Sequence, residues 1–545
     1  MDKVLISKCL TGENVKYNGG NNLVKNPDFD RLSRCCKLIS VCPEVDGGLP
    51  IPRPASEICG KKVINTDGND VTVFFEKGAS IALNTARKND IKYAVLKERS
   101  PSCGGKQIYD GTFGGNVIDG MGVTGKLLTS NGIKVYNEDE IGLLCKEIFK
   151  SKIPKNILYV LEVLKKNGYE GYLVGGCVRD ILMGKTPYDY DITTNATPEE
   201  TMECFENHTV IPTGIKHGTV TVVYDGDNIE ITTYRIDGDY IDSRHPENVK
   251  FTKNLKNDLA RRDFSMNAIA MDECGNITDL YGGERSISEK TISCVGDPDT
   301  RFCEDALRIL RCLRFSATLG FDIERKTEES IFKNMHLIKN LSAERIFSEL
   351  SKLLSGKDAG KIIENYYEIF SEFMPEISSE NPKETALKIS RSKNNLYIRL
   401  ALFSGDIEKD AGVKILKRLK TDKNTEKTVK MLLENRETEI KERRKDIKAL
   451  LSKLGEKDFF TLIDFRSAYD KKNYEKIKNT ATEIIENKEA YRISDLKISG
   501  KDLLHAGYKN EKISEKLNEL INLIIDEKIE NDREELLKLI KKTSE

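Results

Sequence analysis

No apolar run in the chain approaches the roughly 20 residues that a membrane-spanning helix requires, which excludes an integral helical membrane protein. Charge of one sign is lacking too. The 87 basic and 88 acidic residues leave a net charge of -1, so no partner is held by global positive charge. A local basic surface for nucleic acid stays open. The opening residues, Met1 to Gly20, show neither the apolar core nor the cleavage site of a secretory signal, and a cytoplasmic location is expected. Tryptophan is absent, which decides nothing. Cysteine is absent after Cys312, whereas seven of the 13 lie before residue 150: Cys9, Cys35, Cys36, Cys42, Cys59, Cys103 and Cys145. In a reduced compartment disulfides are the poorer explanation. Free buried thiols are the default, and a metal or cluster site is the sharper alternative.

What is present suffices for several cores. At about 100–200 residues per domain, a chain of 545 residues predicts three or four domains. Residues 1–148 are rich in Gly and Pro, with short β-like runs at Lys3–Ser7, Leu38–Val41 and Tyr93–Leu96 and a helical stretch at Ala79–Asn89. That texture predicts a small α/β domain. Ser151–Pro154 reads as a linker, with Pro154 opening the next helix. The spacing of 157, 158, 161 and 164 predicts a helix over Ile157–Asn167. Strands are expected at Gly171–Val174, Gly218–Tyr224 and Asn228–Tyr234. From about residue 300 the pattern is helical, with apolar faces at Leu307, Leu310, Leu313 and Phe315 and at Ile346, Leu350, Leu353 and Leu354.

The most informative stretch is Tyr172-Leu-Val-Gly-Gly-Cys-Val-Arg-Asp180, followed by Tyr188-Asp-Tyr-Asp-Ile192. A strand runs into two glycines and then a helix. Gly175 and Gly176 let backbone N–H groups approach a phosphate, and Arg179, one turn on, can meet its oxygens. Asp189 and Asp191 alternate on a strand and so share a face. Two carboxylates that close repel unless a cation sits between them, and Mg²⁺ is the natural choice beside nucleotide phosphates. Glu230 is a candidate third carboxylate. A lone D-x-D or Gly-Gly is usually an ordinary turn; the ordered combination is much stronger. Downstream, Arg261 and Arg262 suit a triphosphate, and Asp263 can accept from a ribose hydroxyl. In Cys303-Glu-Asp-Ala-Leu-Arg-Ile-Leu-Arg-Cys-Leu-Arg-Phe315, the residues Asp305, Arg308, Arg311 and Arg314 recur every third position, an oblique helical stripe. Asp305 accepts and Arg308 donates, a pair able to read a base edge, while Arg311 and Arg314 can hold phosphate. Alone, this stripe reads equally as intrahelical ion pairs.

Together these motifs, with Ser342-Ala-Glu-Arg-Ile-Phe-Ser-Glu-Leu350, resemble the class II tRNA nucleotidyltransferases, the CCA-adding enzymes, from about Ile157 to the C-terminus. The resemblance implies a nucleotidyltransferase palm over 155–285, a neck carrying the base-template helix over 286–355, and a helical body and tail over 356–545 that bind tRNA. It implies Mg²⁺ at Asp189 and Asp191, nucleotide contacts at Gly176, Arg179, Arg261, Arg262 and Asp263, and a protein template of Asp305 and Arg308 that selects CTP or ATP, completed by Arg311 and Arg314. Thr213-Gly-Ile-Lys-His-Gly-Thr219 is similar to the CCA branch rather than to the poly(A) polymerases. Arg235-Ile-Asp-Gly-Asp-Tyr-Ile-Asp-Ser-Arg-His-Pro246 resembles the loop needed for the switch to A. With five His in the chain and no His-Asp phosphohydrolase signature, a hydrolase site in the tail is not expected. Lys497-Ile-Ser-Gly-Lys-Asp-Leu503 is similar to the family's tail segment. Its lysines can meet tRNA phosphates, in which case binding weakens steeply with salt.

A second constellation lies in the N-terminal domain. Cys9 and Cys42 each end an expected strand, and Cys103 sits in Glu98-Arg-Ser-Pro-Ser-Cys-Gly-Gly105. Strand ends along one edge of a parallel sheet are where α/β sites form. Three thiolates there can hold an iron–sulfur cluster with one iron open, or zinc with a water. Spacing alone is weak support, since single buried cysteines are commonly small apolar residues.

Residues 1–140 resemble a small bacterial family whose characterised relatives are thiouracil desulfidases. The marks are Ser7-x-Cys9-Leu10, Cys42-Pro-Glu44 with Gly47-Gly48, Pro50-x-Pro52-Arg-Pro54, Leu96-Lys-Glu-Arg-Ser-Pro-Ser-Cys103 and Ile108-Tyr-Asp-Gly111. The resemblance implies a [4Fe–4S] cluster on Cys9, Cys42 and Cys103, a free iron that takes sulfur from a thiolated uracil, and Glu44 as acid or base assisted by Ser100 or Ser102. Cys35, Cys36 and Cys59 read as structural. The fusion suggests a tRNA thiouridine as substrate. Against this bifunctional reading stand a transferase whose N-terminal domain only binds RNA or senses redox state, and a poly(A) polymerase.

Overall fold

Strand β1, Asp2–Ser7, carries Val4, Leu5 and Ile6 with no exposed surface, and it pairs on both sides. Its neighbours are β2, Cys36–Val41, and β3, Tyr93–Leu96; β4, Lys134–Asn137, completes a parallel sheet in the order β2-β1-β3-β4. Both faces of such a sheet are covered, so its central strands read as continuous apolar runs. Helix α1, Pro27–Cys35, starts with Asn26 accepting from the Phe29 amide and leads directly into β2. Helix α2, Thr72–Lys88, begins seven residues earlier than the pattern around Ala79 suggested and buries Phe75, Ala79, Ala82, Leu83 and Ala86. Helix α3, Ile141–Ser151, closes this α/β layer. The computed structural model describes residues 1–237, 249–379, 381–404 and 409–542. It divides the chain into two compact units, Met1–Arg301 and Phe302–Glu545.

The first unit continues into a second sheet. Pro154 caps helix α4, Lys155–Lys166, one position outside it rather than inside its first turn. Strands β5, Gly171–Val174; β6, Asp191–Thr194; β7, Thr209–Gly214; β8, Thr219–Tyr224; β9, Asp227–Thr233; β10, Ile269–Met271; and β11, Ile277–Asp279, assemble in the order β7-β8-β9-β6-β5-β10-β11. β6 and β9 run parallel, with Ile192 opposite Ile231, which sets Asp191 beside Glu230. Most of the loop Arg235–Pro246 lies outside the described residues.

The two sheets are fastened together at the amino-terminal ends of β1 and β2. Arg31 donates from Nε and Nη2 to the Glu284 carboxylate at 2.7 and 2.9 Å. Lys152 pairs with Asp2 at 2.5 Å. Gly184, at φ +70°, sits where a Cβ would stand 2.4 Å from the Cys35 carbonyl oxygen, so only glycine permits this approach. Tyr190 donates its hydroxyl to the Lys152 carbonyl at 2.8 Å.

The second unit is helical among its described residues except for a short strand at Asp322–Ile323. The expected apolar faces are buried, at Leu307, Leu310, Leu313 and Phe315 and at Ile346, Leu350, Leu353 and Leu354. Toward the C-terminus, Leu503, Leu520, Ile521, Leu536 and Ile540 form a separate cluster. Among the described residues no helix is long and apolar enough to cross a membrane.

Candidate active sites

The strand–glycine–helix turn forms as expected. Gly175 adopts φ +80° at the mouth of helix α5, Gly176–Leu182. A Cβ there would lie 3.2 Å from Arg262 Nη1 and 3.6 Å from Asp191 Oδ2. The missing side chain thus clears a space flanked by one guanidinium and one carboxylate. Asp189 departs from expectation. It lies in a bend before β6, which begins only at Asp191, so the pair is not set by strand alternation. The Asp189 charge is still near enough to act on Asp191. Crowding by protein and the Asp189 charge hold the Asp191 carboxyl above its usual range; Arg262 pulls it down and Glu230 pushes it further up. All three carboxylate residues are exposed. Like charges gathered within reach of solvent can draw a cation, although among the described residues no three such carboxylates are set to hold a single metal ion.

The two arginines of the Arg-Arg-Asp motif differ. Asp258, fully buried on Leu255–Ala260, binds Arg261 at 2.8 Å and 3.0 Å and Arg262 at 3.3 Å. Burial opposes ionisation of Asp258, but the two guanidiniums outweigh it and its carboxyl lies below the ordinary value. Sequence reasoning passed over Asp258, although its i,i+3 and i,i+4 spacing to the arginines was a readable signal. Arg262 is the one beside Gly175. Asp263 accepts from the Phe264 amide at 2.8 Å and from Asn267 Nδ2 at 3.3 Å. Arg179 is buried and donates to Asp180 at 3.0 Å and Asn267 at 2.9 Å. Asn267, a second omission, therefore joins Arg179 to Asp263.

In the second unit the stripe is not one helix. Asp305 and Ala306 fall in a break, and helix α6, Leu307–Leu319, starts after it. Asp305 precedes that helix by two positions, accepts from the Leu307 amide at 3.0 Å and takes Arg345 Nη2 at 2.8 Å. Buried Glu349 draws Arg314 at 2.7 Å and Arg311 at 3.9 Å. Arg308 pairs with Glu304. Arg345 and Glu349 both lie on helix α7, Ala343–Leu354. The Ser342–Leu350 motif thus supplies partners for Asp305, Arg311 and Arg314.

The cysteines follow the strands rather than ending them. Cys9 sits in the turn Lys8–Thr11 after β1, Cys42 directly follows β2, and Cys103 lies in a turn beyond β3. Burial raises all three thiols above their ordinary range. The Cys103 thiol, hydrogen-bonded to Ser7, also feels Cys9, Glu44 and Cys42. Among the described residues, no group of three or more His, Cys, Asp or Glu is arranged to hold a single metal ion. Three neutral thiols at one sheet edge are nonetheless a soft donor set, suited to iron–sulfur or zinc binding once deprotonated. Glu44 is gripped by Arg53, with Nε at 2.8 Å and Nη2 at 2.7 Å from Oε2. Its Oε1 accepts from Ser100 Oγ at 3.4 Å. Ser102 departs from its expected role: fully buried, its hydroxyl pairs with Thr124 at 3.1 Å, so only Ser100 faces Glu44. Glu98, buried, accepts from the amides of Gly105, Lys106 and Gln107 at 2.9–3.1 Å and so shapes the Cys103 loop.

Comparison with known proteins follows this division. Residues 4–140 match the family model for 2-thiouracil desulfurase, 171–293 the poly A polymerase head domain, 320–380 the probable RNA and SrmB-binding site of polymerase A, and 391–540 a putative tRNA nucleotidyltransferase domain 2. A CCA-adding enzyme of Staphylococcus saprophyticus is 34% identical over 391 residues, 70% of this chain and 96% of its own length. Other CCA-adding enzymes match at 48 to 51% identity, and the chain spans only about half of their length. The crystal structure of the Bacillus stearothermophilus CCA-adding enzyme in complex with CTP shares 28% identity, covers 72% of this chain and 97% of its own, and gives a TM-score of 0.61. A [4Fe-4S]-dependent thiouracil desulfidase is 41% identical over 26% of this chain and 95% of its own, at a TM-score of 0.26.

Proposed function

The chain belongs to the CCA-adding enzymes, and on that premise we propose that it adds CCA to the 3′ end of tRNA from CTP and ATP, without a nucleic-acid template. The observation that carries this reading is the grouping of Asp189, Asp191 and Glu230 beside Arg262 and the open space at Gly175. Asp189 and Asp191 would hold Mg²⁺, which when bound supplies positive charge for the triphosphate and lowers the cost of ionising the attacking hydroxyl. Arg262 meets the triphosphate, while Arg261, tied to Asp258, stiffens the turn that presents it. Asp305 and Arg308 select the base, held by Arg345 and Glu304. Tail lysines such as Lys497 and Lys501 meet tRNA phosphates. Incubating the protein with tRNA lacking its end, CTP and ATP tests the reading. Three added nucleotides are expected, and long A-tails would turn it to a poly(A) polymerase.

A second activity is favoured by the match of residues 4–140 and by Glu44, Arg53 and Ser100 standing beside the three thiols. It is removal of sulfur from a thiolated uracil, free or as a tRNA thiouridine. Cys9, Cys42 and Cys103 would hold a [4Fe–4S] cluster, which when bound supplies an iron that accepts the departing sulfur. Glu44 takes and returns the proton. Anaerobic reconstitution with iron and sulfide should give a brown protein. A colourless, iron-free protein would leave zinc, or an N-terminal domain that binds RNA or senses redox state without chemistry.

A further inference from the structure

Arg53 lies in the run Pro50-Ile-Pro-Arg-Pro54 and is 8% exposed. Four of its five guanidinium N–H groups, and its backbone amide, have an identified acceptor. Nη1 reaches the Pro50 carbonyl at 3.3 Å and Nη2 the Val15 carbonyl at 3.1 Å, and its own amide donates to the Tyr17 carbonyl at 2.8 Å. The remaining contacts, from Nε and Nη2, both fall on one oxygen of Glu44, Oε2, at 2.8 and 2.7 Å. A guanidinium held at both flanks is a rigid fork. It fixes the plane of the Glu44 carboxylate and occupies one of its two oxygens.

The other oxygen, Oε1, meets only Ser100 Oγ among its described partners, at 3.4 Å. Ser100 Oγ already accepts from the amides of Ser102 at 3.1 Å and Cys103 at 3.0 Å. A hydroxyl has two acceptor sites and one proton. With both acceptor sites used, the Ser100 proton is directed to Glu44 Oε1. That contact is longer than a settled O–H···O bond, and a water can displace it.

Resting on the desulfidase reading above, we propose that Arg53 is the positioning residue of the N-terminal site: it ties up Glu44 Oε2 so that Oε1 is the atom through which the proton moves, with Ser100 as its partner. The overall change is a hydrolysis, R₂C=S + H₂O → R₂C=O + H₂S. A C–O bond forms and the C–S bond breaks. One water proton passes through Oε1 to the departing sulfide, the other follows it, and no electrons change hands.

The test uses the full chain after cluster reconstitution, with 2-thiouracil as probe and released sulfide as the readout. Arg53→Ala should lower turnover on the order of 10²-fold, the cost of a misplaced catalytic group, with bound iron and CCA addition unchanged. Added guanidinium should restore turnover by about tenfold, because it refills the fork's place. Arg53→Lys, which keeps the charge without the fork, should stay slow. Unaltered turnover in both variants, or an Arg53→Ala loss that guanidinium does not repair, overturns the role alone. If the unsubstituted protein, cluster in place, releases no sulfide, the desulfidase reading falls and this role falls with it.

Discussion

The two sites of the first unit are made of opposite materials. The palm gathers three exposed carboxylates whose charges oppose one another. The N-terminal domain gathers three thiols that burial keeps protonated. An exposed set of hard oxygen donors suits an ion that arrives and leaves with each nucleotide. A sheltered set of soft donors must give up protons before it binds, and suits a group installed once. On the proposed readings, the same fold unit separates an exchangeable from a resident metal by donor type.

The contrast can be broken most directly at Asp191. Asp191→Asn should lower nucleotide addition by on the order of 10³-fold or more, while iron content after reconstitution stays at the level of the unsubstituted protein. Cys103→Ser should do the reverse, abolishing the visible absorption and sulfide release and leaving nucleotide addition within about twofold of its starting rate, since the residue touches nothing in the palm site. Next in size is Glu349→Gln. It leaves Arg311 and Arg314 short of their shared partner and should cost about 1–3 kcal/mol in denaturant unfolding of the second unit, with a raised KM for both nucleotides.

The smallest effect sharpens the comparison through pH. The folded-state carboxyl of Asp258 lies below its ordinary value of 3.8. Its stabilising contribution is thus complete above that value and is lost as pH falls through the folded-state value. Asp191 is shifted the other way, so its ionisation costs stability at neutral pH and its protonation regains it. Asp258→Asn should flatten the acid limb of a stability-against-pH curve. Asp191→Asn in metal-free buffer should raise the neutral-pH melting temperature slightly. Melting curves from pH 7 to below 3.8 separate the two signs.

Local elements were legible where local chemistry decides them. Tyr93–Leu96 and Gly171–Val174 form strands at the residues read from sequence, each an apolar run stopped by turn-forming neighbours. The glycine turn also followed from spacing, whereas the parallel register that brings Glu230 to Asp191 is seen only in the assembled sheet. Periodicity misled at Asp305, because a three-residue spacing continues across a helix break as readily as along a helix. The same blindness placed Asp189 on a strand. What could not be read were partners without helical or strand spacing between them: Glu349 for Arg314, and Arg53 for Glu44. Charged side chains on separate elements leave no periodic trace, and only the assembled fold chooses among many possible pairings. Ser102 shows the limit within a motif, since two serines two residues apart turn to opposite environments.

The fastening of the two sheets has a consequence for traffic. The linker and palm meet the chain near the starts of β1 and β2, through Lys152 with Asp2 and Gly184 with Cys35, and Cys9 and Cys42 stand beyond the finishing ends of the same strands. Six residues of strand at about 3.3 Å each put roughly 20 Å of solid protein between the thiols and the nearest palm contact. On the proposed readings, a single RNA that visits both sites must be long enough to reach round the domain.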